Sequence, residues 1–480
     1  MEMVPTSRRR LMALGFAAAG IAGSLVAACG GDAAPAPPAK AEPTKAAAPA
    51  APAAPAAPTA AATAAAPTKA PEPTAAPVKF PETLAVTTIN NFATNDPAFL
   101  KAADEFMADR KVKIEFIPGN NQEVITKIAG GTPPDVFRRD AAALHGLVAE
   151  GAMRDLNPFL AKTKDVQVSD FYPHLIKGQT YQGKLVALPE DFQPAPLLFY
   201  NTQIFEKAGE KPPTPDTTWA DFLEQAKRLT KGTGDVADVY GYSFPKWTYE
   251  QFVYNHGGQT VDNVENPAKC LLDSTQAIQG LEFMVDLQHK HRVMPSPQVM
   301  TGANIPSENN WFLGGRLATL NGGTWFTGNL NTAKDNLPWA MTLAPKGQDG
   351  KAHYPTGGAG WAIPTSSKNA DAAWAWMSWQ FGPAGWKSWI AKRDPKTFWL
   401  PALKSIAADE AKRLEQFYPN ASLVVRSADS IWFRPGGAKW EKANAEILGP
   451  ALTSLHENKA PVKTTIQEAV TRINAVLAGG

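Results

Sequence analysis

The sequence predicts an α/β protein whose folded part divides into two lobes. From Thr83 onward, short segments rich in apolar and β-branched residues alternate with segments that carry apolar residues at helical spacing. Strands and helices taken in turn indicate a largely parallel sheet. Once a low-complexity N-terminal stretch is set aside, about 400 of the 480 residues remain, from Phe80 to Gly480, and one hydrophobic core rarely serves a chain of that length.

Thr83 to Ile89 is a strand, with Leu84, Val86 and Ile89 apolar and Thr87 and Thr88 among them, and Asn90-Asn91 ends it. Asp96 to Asp109 is a helix with Phe99, Ala103, Phe106 and Met107 at helical spacing. Val112 to Ile117 alternates as Val112, Ile114, Phe116 and is a second strand. Gln122 to Ala129 is a short helix closed by Gly130-Gly131. Pro134-Asp135-Val136-Phe137 opens a third strand, and Ala141 to Glu150 is a helix with Leu144, Leu147 and Val148 on one face. Tyr181 to Pro189 reads as a turn with a strand, Leu197 to Asn201 as a buried strand, and Ile204 to Gly209 as a helical turn closing on glycine. Thr218 stands three residues before Asp221, the capping-box spacing of a helix start. Phe222, Leu223, Ala226 and Leu229 continue that helix with one apolar face.

The N-terminal stretch is of another kind. Ser7-Arg8-Arg9-Arg10-Leu11-Met12 leads into an apolar run and then Leu25-Val26-Ala27-Ala28-Cys29, the layout of an export signal that stops at a cysteine. It resembles a bacterial lipoprotein signal over residues 1–28, which implies cleavage before Cys29, acylation of its thiol and a lipid tether to a membrane's outer face. The arginines resemble a twin-arginine signal, with Leu11 where that pattern has Phe; a general secretory signal also begins with basic residues. The alternative, a spanning helix over Leu11 to Ala28, would use 18 residues that are largely Ala and Gly. From Ala33 to Val78 the chain is almost only Ala, Pro, Thr and Lys. Such a segment cannot bury enough surface to offset its ordering entropy, and its prolines favour an extended form of ~3.1 Å per residue. Residues 29–79 are therefore expected to be a lipidated cysteine followed by a disordered stalk. Cys270 is the only other cysteine; it leaves no internal disulfide once Cys29 is acylated and reads as a buried small apolar residue.

The formal net charge is +2 and the folded part has no basic tract, which argues against nucleic acid as a partner. Twelve of the fourteen tryptophans lie after residue 310. Trp joins a flat apolar face to one N–H donor, so some are core and others suit a cleft for sugars, whose C–H faces can lie on an indole. Trp374, Trp376 and Trp379 fall on one helix and, with Trp386 and Trp389, read as core. Trp311 fits either role, and Tyr200, in an apolar strand, reads as packing.

Gly183-Lys184-Leu185, Leu188-Pro189, Phe199-Tyr200-Asn201, Lys207-Ala208-Gly209, Pro213 and Thr218-Trp219, in this order and at these spacings, resemble extracellular solute-binding proteins of the sugar-binding type, the class that feeds ABC importers. Phe312 to Leu320 with Gly322-Gly323-Thr324-Trp325 is similar to that family's central segment. Gly358 to Ile363 with Ser367-Lys368-Asn369 is similar to its next signature, and Leu400 to Ser405 to the stretch that follows. The resemblance spans roughly residues 82–475. It implies a two-lobed periplasmic-binding-protein fold with an interlobe cleft and lobes discontinuous in sequence: 80–190 with 357–406, and 191–356 with 407–480. The crossings are expected near Leu188 to Pro194, Tyr354 to Gly358 and Ile406. It further implies closure around a ligand that both lobes touch and delivery to the permease subunits of an ABC transporter. A monomer outside the cytoplasm is implied as well; no cofactor, metal or catalysis is expected.

In open α/β sheets, ligands gather beyond the carboxyl ends of strands. That rule selects Asn90, Asn91 and Phe92 after the first strand, Arg138, Arg139 and Asp140 after the third, and Asp191 and Phe192 after Pro189. By family position, Asp140 or a neighbouring arginine would hold sugar hydroxyls through the paired geometry of a carboxylate or guanidinium. Trp325 and Trp432 would be stacking platforms, with Trp361 and Trp399 near cleft segments. The candidate ligand-binding set is thus Asn90, Asn91, Arg138, Asp140, Asp191, Trp325, Trp361, Trp399 and Trp432, with Cys29 for lipidation. Plainer roles compete: Asn90 and Asn91 would suit a turn backbone, Gly322-Gly323 a simple turn, and Arg393 a solvated charge.

An exported carbohydrate-active enzyme is the second functional class. It needs two carboxylates facing across a bond, and nothing in the sequence fixes the separation of Asp140 and Asp191. No G-x-S-x-G, H-E-x-x-H or phosphate loop is present, and His289 and His291, two apart, do not share a helix face. A ligand-sensing adaptor of the same fold is the third. Tryptophan abundance favours a mono- or oligosaccharide ligand; Arg138, Arg139, Arg393 and Arg434 would suit an acidic sugar or polyol phosphate if two of them converge.

Overall fold

The computed structural model describes residues 77–89, 95–140, 145–232, 236–333, 337–355 and 358–479. The expectations for Cys29, the stalk, Asn90, Asn91 and the side chain of Asp140 lie outside the described residues. Strand β1 (Thr83–Ile89) runs parallel to β2 (Lys113–Gly119) and to β3 (Val136–Asp140). The intervening helices form for local reasons. Asp96 caps the Pro97–Arg110 helix by accepting from the N–H groups of Ala98 and Phe99, and Asn120 and Glu123 close a reciprocal capping box on the Asn121–Ala129 helix. These elements lie within one or two residues of the sequence reading.

The first sheet departs from the expected parallel arrangement at its far side. Its five strands follow the order β2-β1-β3-β9-β4, with β4 at Leu188–Pro189 and β9 at Ala359–Ala362. β9 is antiparallel to both neighbours, pairing Ala359 with Asp140 and Trp361 with Arg138 on one side and Leu188 on the other. The chain returns from the second sheet at the carboxyl end of β3. It must therefore enter the first sheet from that end, against the direction of β3.

The second sheet has three strands in the order β8-β6-β7: β6 (Leu197–Asn201), β7 (Thr319–Gly322) and β8 (Trp339–Thr342), all pairs antiparallel. Every residue of β6 is buried. Leu197 and Phe199 face one core, and Leu198 faces the other, among Trp219, Phe222 and Tyr242, the mark of a central strand covered on both sides. The segment Tyr240 to Ser243 bridges alongside β7 in parallel, at Tyr240–Leu317 and Ser243–Leu320. β5 (Asp191–Phe192), within the first expected crossing, pairs in a two-stranded ribbon with β10 (Leu400–Pro401). Ile406 sits in the first turn of the helix Lys404–Leu414 that follows.

Trp374, Trp376, Trp386 and Trp389 are buried in the core, as is Trp311, whose Nε1 donates to the Ile305 carbonyl at 3.0 Å. Cys270 is buried and free, and burial pushes its thiol up to about 11.

His456 gives this fold a pH dependence. It is buried beside Gln288 and Phe244, and burial pushes its pKa down to about 4, with Lys246 and His289 acting in the same direction. His174 is pushed down to about 4 for the same leading cause. Both are neutral in the folded chain, so their stability contribution is intact above the ordinary value of about 6.5. As pH falls below 6.5 the unfolded chain takes up protons that the folded chain refuses until about pH 4, and stability is lost across that window. The melting midpoint should fall between pH 7 and 5, with about 2 kcal/mol of the loss at pH 5 due to His456. A His456→Gln variant should show a shallower decline; an unchanged slope would remove His456 as the cause.

Candidate functional site

A chain of buried polar side chains runs from the first sheet to the second. Arg138, on β3, donates from Nε to Glu190 Oε2 at 2.6 Å and from Nη2 to Oε1 at 3.4 Å. The same Nη2 lies 3.9 Å from Asp191 Oδ2. Trp361 Nε1 donates to Glu190 Oε2 at 2.8 Å. Asp191 accepts from the backbone N–H of Ala359 at 2.8 Å and from Gln193 Nε2 at 2.7 Å, and Thr324 Oγ1 donates to Gln193 Oε1 at 3.1 Å. Glu190, Asp191, Gln193 and Thr324 are all buried. Buried ionic groups hold only where such partners satisfy them. Gly358, at φ +150°, lets the returning chain pass this network, because a Cβ there would fall on the Asp191 carbonyl.

Next to Thr324 stands Trp325, 45 % exposed and the one large exposed aromatic among the described residues. It follows the carboxyl end of β7. Trp247 follows the carboxyl end of the neighbouring parallel segment Tyr240 to Ser243, so both indoles stand where strand ends of one direction gather ligands. Their ring centres are 6.0 Å apart with planes inclined by 40°.

A third element completes the group. Trp432 stacks on Tyr254 with centres 3.3 Å apart and planes inclined by 24°. Arg434 Nε donates to Glu250 Oε2 at 2.7 Å, and its guanidinium carbon lies 5.2 Å from the Trp247 ring centre. Glu250 and Tyr254 are four apart on the Tyr249–Asn255 helix and so share a face; Trp432 and Arg434 are two apart and reach that face together. Phe433 goes the other way, with His174 6.5 Å away, and fills the space a side chain on Gly178 would need. Burial pushes the Glu250 carboxyl up, against the pull of Arg434.

The structure thus brings Arg138 and Asp191 onto one polar network that ends at Thr324, the neighbour of Trp325, while Trp432 stacks against the Tyr249–Asn255 helix. Two expected cleft tryptophans lie differently. Trp361 is fully buried, its ring 5.0 Å from Phe381 and 6.3 Å from Phe99. It pairs two residues deeper into the sheet than Ala359, which marks the cleft end of antiparallel β9. Trp399 packs against Trp389 at 6.1 Å, and its carbonyl accepts from Arg393. The four arginines do not converge: Arg138 pairs with Glu190, Arg434 with Glu250 and buried Arg393 with Glu410, while Arg139 is buried near Glu441. Trp247 was not among the expected residues. The strand-like run Tyr240 to Phe244 ahead of Pro245 was the available signal. A cavity of about 460 Å³ lies elsewhere, at the carboxyl end of β6, lined by Asn201, Lys207 and Leu229 among others. Because β6 and β7 are antiparallel, that is the opposite edge of the sheet from Trp325.

The profile of the bacterial extracellular solute-binding proteins matches residues 91–385. The chain belongs to this family. Solved structures of similar fold include an ABC substrate-binding protein of Listeria monocytogenes in complex with cycloalternan, at TM-score 0.72 and 19 % identity, covering 82 % of this chain and 99 % of that one. A solute-binding protein of Thermotoga lettingae bound to α-D-tagatose has TM-score 0.69 and 21 % identity, covering 83 % and 100 %. UgpB of Mycobacterium tuberculosis with glycerophosphocholine has TM-score 0.68 and 19 % identity, covering 83 % and 99 %. This solute-binding protein therefore has the two-lobed α/β fold of its family. No helix among its described residues is long and apolar enough to cross a membrane.

Proposed function

We propose that the protein captures a neutral mono- or oligosaccharide between its two lobes and delivers it to the permease of an ABC importer. The observation that carries this reading is the exposed Trp325 indole, set at a strand end beside Trp247 and hydrogen-bonded through its neighbour Thr324 to the crossing segment. An apolar platform next to buried polar groups matches a sugar, which has apolar faces and polar edges. The arginines speak for a neutral ligand, since Arg138, Arg393 and Arg434 each already face a carboxylate. Solved structures of similar fold hold cycloalternan and α-D-tagatose. In this reading residues 80–190 with 357–406 form one lobe and residues 191–356 with 407–480 the other. Intrinsic tryptophan fluorescence titrated with neutral oligosaccharides, followed by chemical recovery of the sugar, tests it. A saturable change with the sugar recovered intact is expected; cleavage of the sugar would move the protein to the enzyme class.

The N-terminal residues complete the proposal. Signal cleavage before Cys29 and acylation of its thiol would hold the protein outside the cytoplasm on a proline-rich stalk. A Cys29→Ser variant should lose membrane association and appear in the soluble extracytoplasmic fraction. Retention of that variant on the membrane would rule out the anchor.

A further inference from the structure

Gly323 has φ −98° and ψ 165°, a conformation open to any residue. A Cβ there would nevertheless clash with the six-membered ring of Trp325, at Cζ3, Cη2 and Cε3. Glycine at this position answers to the indole and not to the backbone. On another side Trp325 meets Trp247, 6.0 Å away. Trp247 is itself clamped. Arg434 lies over its ring, donates from Nη2 to its carbonyl, and is oriented by the buried carboxylate of Glu250. The planar guanidinium does all three at once, which an ammonium could not.

We propose that Gly323 and Arg434 are positioning residues that fix the plane of Trp325 and thereby set which sugar face the protein accepts. The inference rests on the carbohydrate reading above. A rigid indole separates a pyranose with an unbroken C–H face from one interrupted by an axial hydroxyl, whereas an indole free to tilt meets both. The ligand class is a neutral pyranose with an unbroken C–H face.

The test uses Gly323→Ala, Arg434→Lys, Trp325→Phe and Trp325→Ala in the otherwise complete protein. Near-ultraviolet circular dichroism without ligand reports the asymmetry of the indoles. Gly323→Ala and Arg434→Lys should remove the same band that Trp325→Phe removes, with Gly323→Ala leaving the melting midpoint close to wild type. Affinities for maltose, cellobiose and mannobiose are then measured. The wild-type ratio between the best and worst disaccharide should shrink by about tenfold or more in both positioning variants, the scale of a single lost anchor contact. A wild-type spectrum and ratio in Gly323→Ala, with binding lost in Trp325→Ala, would overturn the positioning role and leave the carbohydrate reading in place. Wild-type affinity in Trp325→Ala, or no disaccharide bound by the wild type, would overturn that reading and the selectivity with it.

Discussion

Replacing Glu190 with alanine is expected to destabilise the protein by about 3 to 5 kcal/mol, the cost of removing one partner from a buried ion pair. Glu190 is fully buried and accepts from both Arg138 and Trp361. Without it, a guanidinium that is itself almost buried loses its bidentate partner, and an indole N–H in the core loses its acceptor. The melting midpoint should fall by roughly 5 °C or more. Glu190→Gln keeps an acceptor for Trp361 but not the charge, so its loss should be intermediate. The double variant Arg138→Ala with Glu190→Ala should be less harmful than the two single losses added together, because neither member of the pair is left buried without the other, although Asp191 still loses the guanidinium 3.9 Å away. Strict additivity would mean that the two side chains act independently.

Trp325→Ala is expected to weaken sugar binding by about 30-fold or more, the scale at which a tryptophan anchor acts. It should leave the melting midpoint of the free protein within a degree or two, because an exposed side chain contributes little to the core. The contrast with Trp361 is instructive. That residue was grouped with Trp325 as a cleft candidate, yet its ring is fully buried. Trp361→Ala should therefore act on folding, and by about 3 to 5 kcal/mol. Calorimetric titration beside thermal unfolding separates the two roles.

Much of the local structure was legible. Thr83–Ile89 and Leu197–Asn201 form as read, because an alternating or fully apolar run bounded by polar residues admits little else. Gly209 takes a left-handed conformation at φ +67° at the end of its helix, as its position after Lys207-Ala208 suggested. The direction of β9 was not legible. Trp361 was placed by its position in a signature, and nothing in Ala359-Gly360-Trp361-Ala362 announces an antiparallel strand or which end of it meets the cleft. Partnerships were equally hidden. Arg138 finds Glu190 52 residues away and Arg434 finds Glu250 184 residues away, so the sequence offered four arginines without showing which carboxylates three of them would meet. Trp247 escaped notice because its strand is a bridge to β7 and gains its meaning only beside Leu320.

The most direct measurement is thermal unfolding of the purified protein against neutral oligosaccharides, uronic acids, polyol phosphates and short peptides. A ligand that binds only the folded chain raises the midpoint in proportion to the logarithm of its concentration above Kd. A neutral sugar should raise the wild-type midpoint in this way and fail to do so in Trp325→Ala. A rise with a uronic acid, polyol phosphate or peptide and none with any neutral sugar would contradict carbohydrate capture at the Trp325 platform.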